Sequence, residues 1–60
     1  MEDAITQDQM DLIQKLLEEK GYANDTAHMV KVYTGGATKE LHLMNKFQAS
    51  KLIRFLTTGL

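Results

Sequence analysis

Cysteine and proline are both absent from this sequence, and each absence excludes a class of structure. Without cysteine, no disulfide and no thiolate metal site can reinforce the fold. Without proline, the chain lacks the residue that most often interrupts a helix. No apolar run approaches the roughly 20 residues that a membrane-spanning helix needs. The sequence therefore excludes secreted disulfide scaffolds and membrane-spanning proteins.

Size limits the chain to one small domain, which we predict to span residues 1–60. Apolar residues make up 43% and charged residues 25% of the sequence, the balance of a globular protein rather than of a disordered segment. A chain of this length buries only about 60% of the surface that its unfolded form exposes, so we expect marginal stability. The opening Met1-Glu2-Asp3 lacks the apolar core of a signal peptide, and we therefore expect a cytoplasmic protein.

The net charge of −1 conceals opposite charges in the two halves of the chain. Residues 1–30 carry seven acidic and two basic side chains, a net charge of −5. Residues 31–60 carry five basic side chains and one acidic, a net charge of +4. Such asymmetry is typical of proteins that bind a polyanion or a charged protein. It is equally consistent with two solvated faces that only maintain solubility.

The first helix has a clear start signal and a clear stop signal. Thr6 and Gln9 have the three-residue spacing of a capping box, in which each side chain accepts from the other residue's backbone N–H. Gly21 can adopt the left-handed conformation that commonly ends a helix. We therefore predict a helix over residues 7–20. The residues that share its apolar face, at about 100° per residue, are Met10, Leu12, Ile13, Leu16 and Leu17.

The next segment allows two interpretations. Asn24 or Asp25 can cap a second helix, which would run over residues 25–34. The run from Val30 to Tyr33 also alternates and contains β-branched residues, which favours a strand. We predict the helix, because the sequence offers a cap but no good partner strand.

Between the second and third helices, the sequence predicts a turn followed by an anchor. Gly35 and Gly36 end the second helix. Residues 37–44 are expected to form a turn and then a short extended or single-turn stretch. We expect Leu41, together with Leu43 or Met44, to attach this stretch to the core.

The last helix repeats the pattern of the first. Asn45 and Gln48 have the spacing of a second capping box, and Gly59 can end the helix, which we predict over residues 46–57. Its apolar stripe at i, i+3, i+4 and i+7 consists of Ala49, Leu52, Ile53 and Leu56. Each stripe must be covered by another element, so the sequence predicts an all-α fold, a compact three-helix domain.

The face opposite that stripe carries an aromatic residue and two cations. Phe47, Lys51 and Arg54 recur at i, i+4 and i+7. An outward ring can stack a nucleic-acid base while the cations meet phosphates, and the same group can anchor a protein interface. Alternatively, Phe47 folds back onto the preceding loop and completes the core. Together with Lys46, these residues are the candidate contacts for a nucleic acid or a partner protein.

No combination of side chains predicts catalysis or metal binding. His28 and His42 lack the spacing and the further ligands of a metal site. Ser50 has no histidine and carboxylate placed beside it as in a catalytic triad. The glycine-containing run over residues 34–39 lacks the GxxxxGK spacing of a phosphate-binding loop. We therefore predict a protein that is not an enzyme and that uses no cofactor.

The capping and core positions together resemble a small helical module of phage and mobile-element proteins. The matching positions are Thr6-x-x-Gln9, the leucine-rich helix before Gly21, and Asn45-Lys46-Phe47-Gln48-Ala49-Ser50-Lys51-Leu52-Ile53-x-x-Leu56. The last helix of the module reads Thr-Lys-x-x-Ala-Ser-x-Leu-Ile-x-x-Leu, and Asn45 is a physically equivalent cap at its first position. The module is often appended to DNA-recombination and DNA-processing proteins, including single-strand annealing proteins. The resemblance therefore implies a setting in phage DNA metabolism.

Two functional hypotheses follow. The first is a non-catalytic accessory module that contacts nucleic acid, with single-stranded DNA as the candidate ligand, through the basic C-terminal half. The second is a protein–protein interaction module: a homo-oligomer, a docking tail of a larger recombination protein, or a small phage inhibitor of a host enzyme. Internal methionines, which make adaptable apolar contacts, motivate the second hypothesis. Neither hypothesis involves a membrane.

Overall fold

The computed structural model describes residues 3–59, and three helices dominate them. In chain order the elements are α1 (Gln7–Lys20), a 3₁₀ turn (Ala23–Asp25), α2 (Thr26–Tyr33), a second 3₁₀ turn (Leu41–Leu43) and α3 (Lys46–Thr58). No strand forms within this described range, so the prediction of an all-α three-helix fold is confirmed. The described range leaves out Met1, Glu2 and Leu60. The expectation that the chain starts without a signal peptide depends mostly on Met1 and Glu2, so it lies outside the described residues.

α1 begins and ends where the sequence predicts. The Thr6 hydroxyl accepts from the backbone N–H of Gln9, and the Gln9 side-chain oxygen accepts from the N–H of Thr6, both at 3.1 Å. At the other end Gly21 has a φ of 79°, and the N–H of Tyr22 donates to the carbonyl of Leu17 at 2.7 Å. This is the Schellman arrangement, which uses carbonyls that the helix itself leaves unpaired.

α2 is helical, so the strand interpretation is wrong, but the helix lacks the predicted side-chain cap. It begins at Thr26, and Asp25 makes no capping hydrogen bond. The first 3₁₀ turn holds Asp25 at φ −103° and ψ 12°, away from the extended conformation that a capping side chain needs. Instead, the Thr26 hydroxyl donates to the carbonyl of Ala23 at 2.8 Å. The predicted bounds of 25–34 are therefore each one residue too wide.

Thr34 holds the turn that follows α2. Its buried hydroxyl lies 2.8 Å from the carbonyl oxygen of Val30 and 3.0 Å from that of Thr38, and it accepts from the Thr38 N–H at 3.3 Å. Gly35 and Gly36 then continue with φ of 68° and 89°, which side chains with a Cβ rarely adopt. The hydroxyl is thus satisfied inside the fold, and the predicted stop of α2 is confirmed.

The second 3₁₀ turn decides which residue anchors residues 37–44. In a 3₁₀ turn, residues i and i+3 lie on the same side. Leu41 therefore shares its side with Met44, which is 1% exposed, whereas Leu43 is 61% exposed. Of the two predicted alternatives, Met44 is the anchor.

α1 and α3 run side by side in the same direction. At their first turns, the Gln9 side-chain amide lies 3.4 Å from the carbonyl oxygen of Lys46 and 3.5 Å from the hydroxyl of Ser50. At their last turns, Lys20 and Phe55 line one shared surface depression. α3 extends one residue beyond the predicted end and stops before Gly59, which has a φ of 79°.

A short extended segment before α1 pairs with the residues that lead into α3. Ala4 and Asn45 form an isolated antiparallel bridge. The N–H of Ile5 donates to the carbonyl of Met44 at 3.0 Å, and the N–H of Lys46 donates to the carbonyl of Asp3 at 2.8 Å. No pattern in the sequence predicts this pairing, which brings the segment before α1 to the start of α3.

The core forms where the apolar faces of the three helices meet. Its buried apolar members are Ile5, Ile13, Leu17, Val30, Met44, Ala49, Leu52 and Leu56. Leu12, expected on the apolar face of α1, is 41% exposed and lies at the edge of that face. The remaining predicted residues of that face are buried or partly buried, as the helical spacing requires.

Candidate nucleic-acid interface

Phe47 lies in the first turn of α3 and faces away from the core. It is 65% exposed, more than any other large apolar residue in the described range. The buried residues Ala49, Leu52 and Leu56 occupy the opposite side of the helix, because successive residues turn by about 100°. The alternative in which Phe47 completes the core is therefore wrong.

Lys51 lies one helical turn after Phe47 and packs on its ring. The Lys51 ammonium nitrogen lies 4.8 Å from the ring centroid, within the roughly 6 Å over which a cation is attracted to an aromatic face. Phe47 remains largely exposed although this cation lies over its ring. The contact also restrains a flexible lysine and holds its charge beside the ring.

Arg54 adds a second exposed cation to the same face of α3. With Phe47, Ser50 and Lys51 it lines a shallow concavity of about 380 Å³. Neither Lys51 nor Arg54 forms an ion pair with another described residue. We call Phe47, Ser50, Lys51 and Arg54 the basic face. Sequence reasoning missed Ser50 as a contact, although its spacing of three from Phe47 and four from Arg54 places it on this face.

Lys46 is separated from the rest of the predicted contacts. It precedes Phe47 by one residue, and a step of about 100° turns its side chain toward α1 and the segment before it. Its ammonium lies 3.8 Å from the carboxylate of Asp3, and the two side chains are 51% and 76% exposed. Three of the four predicted residues are therefore brought together, and the fourth is paired with an acid.

The backbone at the start of α3 offers little to an anion. The N–H of Lys46 donates to Asp3, and the N–H of Gln48 donates to the Asn45 side chain at 2.7 Å. At the N-terminus of other helices, backbone N–H groups at these positions bind phosphate, but here both already donate to acceptors within the chain. Anion binding at the basic face therefore depends on the lysine and arginine side chains.

Between Asp3 and Gly59, the histidine and acidic side chains do not form a metal site. His28 and His42 are both exposed. Among residues 3–59, no group of three or more histidine, acidic or cysteine side chains could hold a metal ion. In the same range, no helix is long and apolar enough to cross a bilayer. The basic face of α3 is thus the candidate site that combines an exposed aromatic ring with two cations in the part of the chain that the structure describes.

Comparison with known proteins identifies no relative of this chain. No protein-family model, no curated protein and no solved structure matches the chain.

Proposed function

We propose that this protein is a non-catalytic accessory module that binds single-stranded nucleic acid through the basic face of α3. The observation that carries the proposal is the exposed ring of Phe47 with the Lys51 ammonium 4.8 Å from its centroid. An aromatic ring beside cations is the combination with which proteins hold single strands, since the ring stacks a base and the cations meet phosphates.

Stacking on Phe47 requires an unpaired base. In a duplex the faces of the bases are already stacked on their neighbours, whereas a single strand can present a base face to the exposed ring. Lys51 and Arg54 lie within one to two helical turns of Phe47, a rise of about 10 Å, so they can reach phosphates next to the stacked base. Every base has an aromatic face, so we expect little sequence preference.

A protein partner is the second candidate, because an exposed aromatic residue beside an arginine is also typical of interface anchors. Self-association through the basic face is disfavoured. A two-fold contact presents the same patch from both copies, so Lys51 and Arg54 would approach their own counterparts. Like charges across an interface are destabilising. A partner protein would need an acidic surface to satisfy the same cations.

The resemblance supplies the proposed setting. We place the module in phage-type DNA recombination or processing, where single-stranded DNA is the common intermediate. A site with one aromatic residue and two or three cations is small. We therefore expect binding in the range of about 10⁻⁶ to 10⁻⁴ M, typical of non-specific nucleic-acid contacts, and an accessory role rather than a primary one.

Fluorescence anisotropy with short labelled oligonucleotides tests the proposal. Single-stranded DNA should bind more tightly than the duplex of the same length. A matched abasic strand, which keeps the phosphates and lacks the bases, should lose most of the stacking contribution of about 1–3 kcal/mol. Raising the salt should weaken single-strand binding with a logarithmic slope of about −1.4 for two phosphate contacts and about −2 for three.

Two outcomes would refute the proposal. One is no detectable binding at low salt and high micromolar protein. The other is equal affinity for single strand, duplex and abasic strand, which would show that the basic face binds through its positive charge alone and not through base stacking. Sedimentation of the protein with and without oligonucleotide then separates ligand binding from self-association.

A further inference from the structure

The segment before α1 places a carboxylate beside Lys46, the one cation of α3 that lies off the basic face. Asp3 lies 3.8 Å from the ammonium of Lys46, which immediately precedes Phe47. The two side chains keep 76% and 51% of their surfaces exposed, so a ligand can reach both groups. One of the three cations of α3 is therefore already paired with an acid of the same chain.

Main-chain hydrogen bonds, rather than the ion pair, hold Asp3 at this position. Its carbonyl accepts from the N–H of Lys46 at 2.8 Å, and the N–H of Ile5 donates to Met44 at 3.0 Å. The Ile5 side chain is buried in the core at 8% exposure. An exposed ion pair alone contributes little to the order of a chain. Two backbone bonds and the buried Ile5 side chain keep the main chain of Asp3 beside Lys46 whether or not the ion pair forms.

We propose that Asp3 competes with nucleic-acid phosphate for Lys46 and thereby keeps this lysine from adding to the affinity of the neighbouring basic face. This inference rests on the proposed function. A phosphate that reaches Lys46 must displace the carboxylate and then remain close to its negative charge. Because salt screens charges over about 10 Å at 0.1 M, an acid at this position acts more strongly than an acid on the far side of the domain.

A mutant cycle on Asp3 and Lys46 tests the competition in the same anisotropy assay. Asp3→Asn removes the charge and keeps the backbone carbonyl that Lys46 uses. It should tighten single-strand binding about two- to fivefold at low salt, the range expected for one exposed ion pair. Glu19→Gln is the matched control, because Glu19 is an exposed acid near the end of α1 and its loss changes the net charge equally. Combined with Lys46→Met, Asp3→Asn should no longer tighten binding beyond the effect of the control.

The affinities of these variants distinguish competition at Lys46 from a general effect of net charge. A selective gain in Asp3→Asn that disappears with Lys46→Met supports the competition. An equal gain in Glu19→Gln, no gain in Asp3→Asn, or a gain that survives Lys46→Met would overturn it while the proposed function stands. Failure of every variant to bind any oligonucleotide would instead overturn the proposed function, and the competition with it. Thermal melts should agree between Asp3→Asn and the wild type, and Asp3→Ala provides a second charge-removing variant if they differ.

Discussion

Phe47→Ala separates a binding role from a structural role more sharply than any other single substitution in this chain. The residue is 65% exposed, so truncation removes little buried surface. The lost burial and the lost contact with Lys51 together amount to about 1 kcal/mol or less at such an exposed position. Alanine is also the better helix former, by about 0.5 kcal/mol, which offsets part of the loss. We therefore expect the free energy of unfolding to change by less than about 1 kcal/mol.

Binding should respond much more strongly to the same substitution. A stacked base contributes about 1–3 kcal/mol, which corresponds to a loss of roughly 5- to 150-fold in affinity for single-stranded DNA. The slope of affinity against salt should stay unchanged, since both cations of the basic face remain. Val32→Ala on α2 is the matched control, because Val32 is also a largely exposed apolar residue, at 58%, and lies on another helix.

Circular-dichroism melts and oligonucleotide anisotropy on the same samples decide the outcome. Wild-type affinity in Phe47→Ala would refute base stacking at this position. A large loss of stability would refute the exposed placement of the ring. Phe47→Trp keeps an aromatic surface and should retain or improve binding, which distinguishes stacking from a mere change in the shape of the helix.

The remaining predictions concern the fold. Leu52 is fully buried in α3, so Leu52→Ala should remove about 2–5 kcal/mol from a total of roughly 3–9 kcal/mol and lower the melting temperature of the protein sharply. The same substitution at the 41% exposed Leu12 should leave it folded, and equal melting temperatures for the two variants would contradict the core. At Gly21 an added Cβ meets no atom within 4 Å, but the φ of 79° disfavours a side chain, so Gly21→Ala should destabilise by about 1 kcal/mol. That lowers the melting temperature by about 4–8 °C, and an unchanged melting temperature would mean that the left-handed cap is absent.

The sequence predicts the helices well because their end signals are local. Thr6 and Asn45 are each followed after three residues by a glutamine that closes the capping box, and both helices begin where those pairs require. The start of α2 is less predictable. Asp25 looks like a cap in the sequence, yet the 3₁₀ turn before the helix places its backbone in the wrong conformation.

The candidate site is predictable only where helical spacing determines it. The shared face of Phe47, Lys51 and Arg54 follows from spacings of four and three residues. The pairing of Lys46 with Asp3 does not, because it depends on backbone hydrogen bonds between segments about forty residues apart, which leave no side-chain pattern. The sequence therefore identifies the candidate binding residues more readily than the acid that pairs with Lys46.

The side-by-side packing of α1 and α3 also has a consequence for synthesis on the ribosome. α1 has only 14 residues, too few for a stable isolated helix in water. Its apolar side is covered mainly by α3, which is translated about 25 residues later. We therefore expect the nascent chain to acquire its tertiary structure in one late cooperative step, once α3 is available to cover α1.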